Sequence, residues 1–317
     1  MGNTSIQAKE ASYDRDDVIS RLGFRSEINA LRDQIEDWIS VASEEMNAEL
    51  RWQLIAPSKY FRPLTVFSCH QAATGSPVGR QVMGSALSIE ILHNVSLIID
   101  DIVDKSDERR GRDTLHRRFG ELSAIMTAGY MVAEIFAKSH SDPYSIGLFS
   151  DLLKRLGVAE CRQWRLRRRP LGVEDWQMIA GEDTGSMFEI CAGLGDRSGR
   201  LRHFGYLLGQ LYHGCDDVAD VRGLAALGGG GGDDLRDGIL TLPAAIAIRD
   251  REIAERFARG AEADLPILAR AFVSALPEAE TYLDRLSEEA KNEATAFANQ
   301  PSVLIELVDV TRDLAER

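Results

Sequence analysis

Residues 81–104 read Q-V-M-G-S-A-L-S-I-E-I-L-H-N-V-S-L-I-I-D-D-I-V-D. No proline interrupts the run, and Val82, Met83, Ala86, Leu87, Ile89, Leu92, Val95, Leu97 and Ile98 leave it apolar nearly all round. A helix of that kind is buried on every side, so the stretch predicts a central helix. It ends in D-D-x-x-D, formed by Asp100, Asp101 and Asp104. On a helix, positions i and i+4 share a face and i+1 lies about 100° round. Asp100 and Asp104 therefore project together, with Asp101 beside them.

The same pattern recurs at Asp216, Asp217 and Asp220, again at the end of an apolar run. Carboxylates at i and i+4 repel, and a buried unpaired carboxylate loses its hydration. A divalent cation is the natural compensation. Mg²⁺ suits hard oxygen ligands, and it completes its shell with waters and phosphate oxygens. One such cluster has an ordinary reading as a solvated helix end. Two, each preceded by an apolar helix, predict Mg²⁺ sites that hold a diphosphate between facing helices.

Helical periodicity continues elsewhere, over Ser26–Leu50, Ser123–Ala137, Glu174–Leu194 and Arg200–Val221, and in C-terminal runs at Ile239–Ile248, Leu265–Leu276, Ala279–Ala298 and Ser302–Leu314. No stretch alternates strictly with period two. The expected fold is all-α, a bundle of about ten helices. Residues 1–25 read as a mobile polar tail without an apolar signal core, and 26–317 as a single domain. Gly2 is followed by Ile6, where an N-myristoylation motif wants Ser or Thr. Gly228–Gly232 is a run of five glycines and predicts a flexible loop. The basic run Arg162, Arg165, Arg167, Arg168 and Arg169 reads as a solvated helix end, with an anion or partner site as the alternative.

The 317 residues carry 37 Lys+Arg and 50 Asp+Glu, a formal charge of −13. That balance excludes a tracker of nucleic-acid phosphates. The composition, 44% hydrophobic and 27% charged, is that of a globular protein with a core. No apolar run is expected to span a bilayer, so no stable membrane anchor is predicted. Cys69, Cys161, Cys191 and Cys215 lack metal-type spacing and are expected to be buried free thiols in a reducing, cytoplasmic setting.

Around the first cluster the chain reads E-I-L-H-N-V-S-L-I-I-D-D-I-V-D-K-S-D-E-R-R-G-R-D-T-L-H. A histidine seven residues before the first Asp, then R-R-G and a nearby Thr and His, complete a pattern carried by His93, Arg109, Arg110, Gly111, Thr114 and His116. Upstream, S-K-Y-F-R-P supplies Lys59, Arg62 and Pro63. Downstream come G-Q-L-Y-H-G-C-D-D-V-A-D and D-L-R-D-G-I-L-T-L-P. In order and spacing these segments, from about Arg51 to Ala247, resemble the trans-isoprenyl diphosphate synthase (polyprenyl synthetase) family.

The resemblance implies the isoprenoid-synthase helical fold with a central active-site cavity, usually as a homodimer. It implies condensation of an allylic prenyl diphosphate with isopentenyl diphosphate, with three Mg²⁺ ions around the bound diphosphate. By carry-over, Asp100, Asp101, Asp104, Asp216, Asp217 and Asp220 hold Mg²⁺ and Arg109 contacts the allylic diphosphate. Lys59, Arg62, His93 and Arg110 cradle isopentenyl diphosphate, and Thr184, Tyr212 and His213 sit at substrate-binding positions. Product length is set by residues on the helix before the first cluster. Leu92, Val95 and Ser96 carry no aromatic floor there, which favours a product of C20 or longer.

Three departures stand out. Asp183 occupies the position of the family's lysine in its K-T motif, Ile239 replaces the lysine of G-K-x-T-L-P, and the lysine after the second cluster falls in the glycine run. Arg222 and Arg236, which flank that run, are candidate replacements. Three readings remain open: a prenyltransferase with a remodelled allylic site, a class I terpene cyclase or atypical prenyl enzyme on the same scaffold, and a non-catalytic partner subunit. A cyclase has no second diphosphate to hold, so Lys59, Arg62, His93 and Arg110 favour the transferase.

Overall fold

The computed structural model describes residues 17–223 and 231–315. From Arg25 onward these form fifteen α-helices, short helical turns and one two-residue hairpin. Contacts group the chain into two compact units, Met1–Leu148 with Leu194–Arg197 and Phe149–Gly193 with Ser198–Arg317.

The first unit holds α1 (Arg25–Val41), α2 (Asn47–Leu54), α3 (Phe61–Thr74), α4 (Arg80–Val103), α5 (Leu115–Phe119) and α6 (Glu121–Lys138). Its core helix is α4, as the opening stretch predicts. Met83, Leu87, Ile89, Ile91, Leu92, Val95 and Ile98 are all buried on it, against α1, α3 and α6. By length and composition α4 is apolar enough to cross a membrane, contrary to the expectation that no run reaches that length, and 83% of its apolar window is buried inside the protein. It is the core helix of its unit.

The chain enters the second unit along α7 (Pro143–Leu166) and continues through α8 (Val173–Ala180), a π-helical turn (Gly181–Gly185), α9 (Ser186–Gly195) and α10 (Arg202–Val221). There follow α11 (Gly231–Asp237), α12 (Leu242–Ala247), α13 (Arg251–Arg259), α14 (Leu265–Phe297) and α15 (Ser302–Arg312). Here α10 is central. Phe204, Leu207, Leu208, Leu211, Cys215 and Val218 are buried on it, against α12, α14, α15 and the π-turn.

Several expectations need correction. The polar tail ends earlier than residue 25: residues 17–21 are helical, and Val18, Ile19, Leu22 and Phe24 are buried. These four apolar side chains anchor that segment, while residues 1–16 lie outside the described residues. The run 26–50 breaks after Val41, where Ala42 is extended and the Asn47 side-chain amide donates to the Ile39 carbonyl at 2.8 Å. Conversely, α14 runs unbroken through Pro277. The proline is on the solvent side, and so is Val273, whose carbonyl loses its helical donor there. Gly228–Gly230 lie outside the described residues, but Gly231 and Gly232 open α11, in the first turn, where backbone N–H groups lack helical partners anyway. Cys161 is exposed, unlike the other three cysteines.

Candidate active site

In the first unit, the end of α4 presents the first acidic cluster. Asp101 is buried at 3% exposure, Asp100 is half-buried and Asp104 exposed. Asp104 lies just past the helix, its N–H donating to the Asp100 carbonyl at 2.8 Å. The chain then reverses in a hairpin, β1 (Glu108–Arg109) paired with β2 (Arg112–Asp113). Arg110 (φ 54°) and Gly111 (φ 72°) form its turn. Positive φ at both central positions matches the twist of a two-residue hairpin, and glycine takes it without strain.

This reversal returns Arg109 to the helix end, where its Nε donates to Asp101 Oδ1 at 2.8 Å. Burial pushes the Asp101 carboxyl up, while the charge and hydrogen bond of Arg109 pull it down. Thr114 and His116 hold the same loop. The Thr114 hydroxyl donates to the Ser106 carbonyl at 2.8 Å and lies 3.1 Å from His116 Nδ1. A small cavity beside the cluster, about 40 Å³, is lined by Trp52, Ala56, Asn94, Asp101, Arg109 and Arg110.

Further back on α4 are Glu90 and His93, both buried. Burial pushes Glu90 up, opposed by a hydrogen bond from Ser58 and by the charges of Arg62 and Arg110. His93 is held well below its ordinary value by burial, then by Arg62, Arg110 and Arg109. It is a neutral imidazole, and its buried Nδ1 has no hydrogen-bond partner among the described residues. Arg62, His93 and Arg110 are thus brought together around Glu90. Lys59 is half-buried in the loop before α3. Leu92 and Val95 are buried, and the half-buried Ser96 donates to the His93 carbonyl at 2.8 Å.

In the second unit, the π-turn rests on α10 because glycines allow it. A Cβ at Gly181 would stand 2.0 Å from Tyr206 Oη, and one at Gly209 2.6 Å from the Thr184 carbonyl. π-turns inside helices recur at functional positions, and this one presents Asp183 and Thr184 to His213. Thr184 Oγ1 is 3.0 Å from His213 Nδ1, Asp183 Oδ2 is 3.5 Å from it, and Asp217 Oδ1 is 3.9 Å from Nε2. Burial opposes charge on His213, but Asp217, Asp183 and Asp216 outweigh it and raise the imidazole to about 9. At neutral pH it is a cation. The carboxylate found in place of a lysine is therefore matched by a positive charge one helix away, which sequence reading missed. Tyr212 packs its ring on Phe188, centroids 5.3 Å apart.

The three aspartates of the second cluster differ. Asp217 Oδ2 accepts from Trp176 Nε1 at 2.7 Å and from the Leu242 N–H at 2.8 Å, so this carboxylate orients the helix end. Asp220 is raised to about 8 by burial and then by Asp216, Asp234 and Asp217. Crowded acids of this kind fit a cation. Among the described residues no three His, Cys, Asp or Glu side chains converge on one point. Neither cluster closes a cage by itself among the described residues.

Arg222 does not serve as a replacement cation: it pairs with Glu280 and donates to the Ala315 carbonyl. The basic run is a solvated helix end only in part: Arg165 and Arg169 are exposed, whereas its middle is engaged. Arg168 (φ 58°) donates its N–H to the Gly238 carbonyl at 2.8 Å, and Arg167 lies 3.8 Å from Asp237.

The sequence model of the polyprenyl synthetase family matches residues 44–265. Over 245 residues the chain is 30% identical to a putative geranylgeranyl pyrophosphate synthase 8 of Arabidopsis thaliana, covering 68% of this chain and 67% of that one. The heptaprenyl diphosphate synthase of Staphylococcus aureus shares the fold, with a TM-score of 0.84 at 20% identity over 93% of this chain and 98% of the other. So does a polyprenyl synthase of Caulobacter crescentus complexed with calcium and isoprenyl diphosphate, with a TM-score of 0.81 at 22% identity over 94% and 98%.

Two outcomes follow from these geometries. Stability contributed by the His213 cation is present in full below its ordinary 6.5 and lost as pH rises through about 9. In the metal-free protein, NMR titration of the His213 ring should report a midpoint near 9, and Asp183→Asn should lower it. The raised Asp220 acid acts in the same direction with pH, penalising the folded state increasingly as pH climbs from 3.8 towards about 8. Asp220→Asn should therefore stabilise the metal-free protein at neutral pH by roughly 1 kcal/mol, with no gain at acid pH; calorimetric melting measures both.

Proposed function

The chain belongs to the polyprenyl synthetase family, and we propose that it is a Mg²⁺-dependent prenyltransferase that condenses an allylic prenyl diphosphate with isopentenyl diphosphate, giving a product of C20 or longer. The observation that supports this best is the gathering of Arg62, Arg110 and a neutral His93 behind the Asp101–Arg109 pair. An enzyme that only ionises one diphosphate needs no second set of phosphate donors beyond its first acidic cluster.

In this reading Lys59, Arg62 and Arg110 hold isopentenyl diphosphate, the two arginines by forked contacts. His93 donates a hydrogen bond without adding charge. Asp100, Asp101 and Asp104 hold Mg²⁺ on the allylic side, and Asp216 and Asp220 hold it at the second cluster. When bound, Mg²⁺ supplies Lewis-acid stabilisation of the departing diphosphate. Asp217 keeps its helix end oriented through Trp176 and Leu242. Arg109 moves from Asp101 to the allylic diphosphate, a contact stronger in the departing group than in the bound ester. The cation of His213 stands in for one of the absent lysines, with Thr184 fixing its ring. The isopentenyl double bond then joins the allylic carbon with loss of one proton, in surroundings kept dry by apolar side chains.

Exposed Leu122 (74%), Ile125 (46%) and Met126 (54%) give α6 an apolar outer face, which supports a homodimer, and we assign the protein to the cytoplasm.

Purified protein with Mg²⁺ should elongate dimethylallyl, geranyl, farnesyl or geranylgeranyl diphosphate only when isopentenyl diphosphate is present, as read by mass spectrometry. Hydrocarbons or alcohols made without isopentenyl diphosphate would instead identify a cyclase, and silence in every tube from folded protein a partner subunit. On the same assay Ser96→Phe should shorten the main product by at least one isoprene unit, because a ring would then block the path beyond the first cluster.

A further inference from the structure

The loop between α2 and α3, residues 55–60, is a partition with a cavity on each side. One is the small cavity that reaches Asp101, Arg109 and Arg110. The other is larger, about 330 Å³, within the size range of small-molecule sites. It is lined by Arg32, Ile35 and Glu36 from one face of α1 and by Ile55, Pro57 and Tyr60 from the loop. Ala56 lines both cavities, so the loop separates them.

The larger cavity has a definite chemistry. The Arg32 guanidinium stands over the Tyr60 ring at 5.0 Å, and among the described residues it makes no ion pair. Glu36, the acid in the lining, is engaged by Arg51 at 2.9 Å. Arg32 is the cation left for a ligand, and the exposed Ile55 and Pro57 supply apolar surface beside it. Tyr60 itself is in the left-handed region, φ 56°, which is strained for a bulky residue, and such strain clusters at ligand clamps and switches. The far face of the same loop is tied to the candidate active site. The Pro57 carbonyl accepts from Arg110 Nη1 at 2.8 Å, and Ser58 donates to Glu90 at 3.0 Å.

We propose that this cavity binds a small amphipathic anion, a phosphate or carboxylate on a short hydrocarbon chain, and that its occupancy adjusts the isopentenyl diphosphate contacts through the Pro57–Arg110 bond. The second half rests on the prenyltransferase reading; the binding itself does not. The head group pairs with Arg32 while the chain covers Ile55 and Pro57. Filling the cavity stiffens the loop and fixes the Pro57 carbonyl on which Arg110 leans.

Calorimetric titration of the full-length protein with decyl phosphate and with decanoate tests the site, the two arms separating a phosphorylated from a carboxylate ligand. Arg32→Glu and Ile55→Glu are the test variants. Ile55 is 40% exposed and Arg32 partly so, and circular dichroism verifies that both fold. The expected result is saturable binding of at least one amphiphile, weakened about tenfold or more in each variant (a shift of ~1.4 kcal/mol), with slowed hydrogen exchange at residues 55–60. The proposal is overturned if neither amphiphile binds saturably. It is equally overturned if binding survives both variants and inorganic diphosphate with Mg²⁺ displaces it, which places the amphiphile at the aspartates. If the chain elongates prenyl diphosphates, decyl phosphate or decanoate should also shift KM for isopentenyl diphosphate by about twofold or more with kcat little changed. An inactive chain that still binds in this manner refutes the enzyme reading and leaves the site standing.

Discussion

The cost of placing ionised carboxylates at the ends of buried apolar helices governs both units. α4 and α10 are each core helices, and each ends in D-D-x-x-D. Burial is the first cause that raises Asp101, Asp217 and Asp220 above the ordinary carboxylate value. The fold meets this cost with local donors: Arg109 on Asp101, and Trp176 with the Leu242 N–H on Asp217. Asp220, crowded by three other acids, is raised to about 8. An assembly tuned for stability alone would not keep these groups, since well-packed apolar residues are commonly as stable or more so. The proposed function gives them a role: holding the cations that the chemistry needs.

The remodelled second unit follows the same logic. An acid at position 183 in place of a lysine adds negative charge beside an already acidic helix. The structure answers with His213, which is buried among Asp217, Asp183 and Asp216 and stays charged because of them. Thr184 fixes the ring in place. The positive charge therefore sits on α10, not on the π-turn, and on a short side chain with little freedom. That arrangement gives a more rigid cation than a lysine on its flexible stem.

Much of this was legible in the sequence. A helix apolar all round has one explanation in a globular chain, so α4 and its terminal aspartates could be read directly, and the polyprenyl synthetase resemblance extended the reading to Lys59, Arg62, His93 and Arg110. What stayed hidden depends on long-range contact. Nothing local says that Trp176 donates to Asp217, forty-one residues away, or that His213 meets Asp183. The passage of α14 through Pro277 depends on which face meets solvent. α3, buried nearly all round, lacks a clean amphipathic stripe and so escapes the periodicity, whereas α7 does bury one face, along Leu148, Phe149, Leu152 and Ala159. Within the basic run, Arg165 and Arg169 are exposed as read, but the engagement of Arg167 and Arg168 was hidden because Asp237 and Gly238 lie far along the chain.

The most direct test of the account is thermal melting of the full-length protein with Mg²⁺ alone, inorganic diphosphate alone, and both together. Ligands that bind only the folded state raise its melting temperature by mass action. The account predicts a rise with the pair that clearly exceeds the sum of the two alone, reduced by Asp100→Asn and by Asp216→Asn. Equal melting in all mixtures, or a joint effect untouched by both substitutions, would contradict the claim that these clustered acids hold Mg²⁺ and diphosphate together.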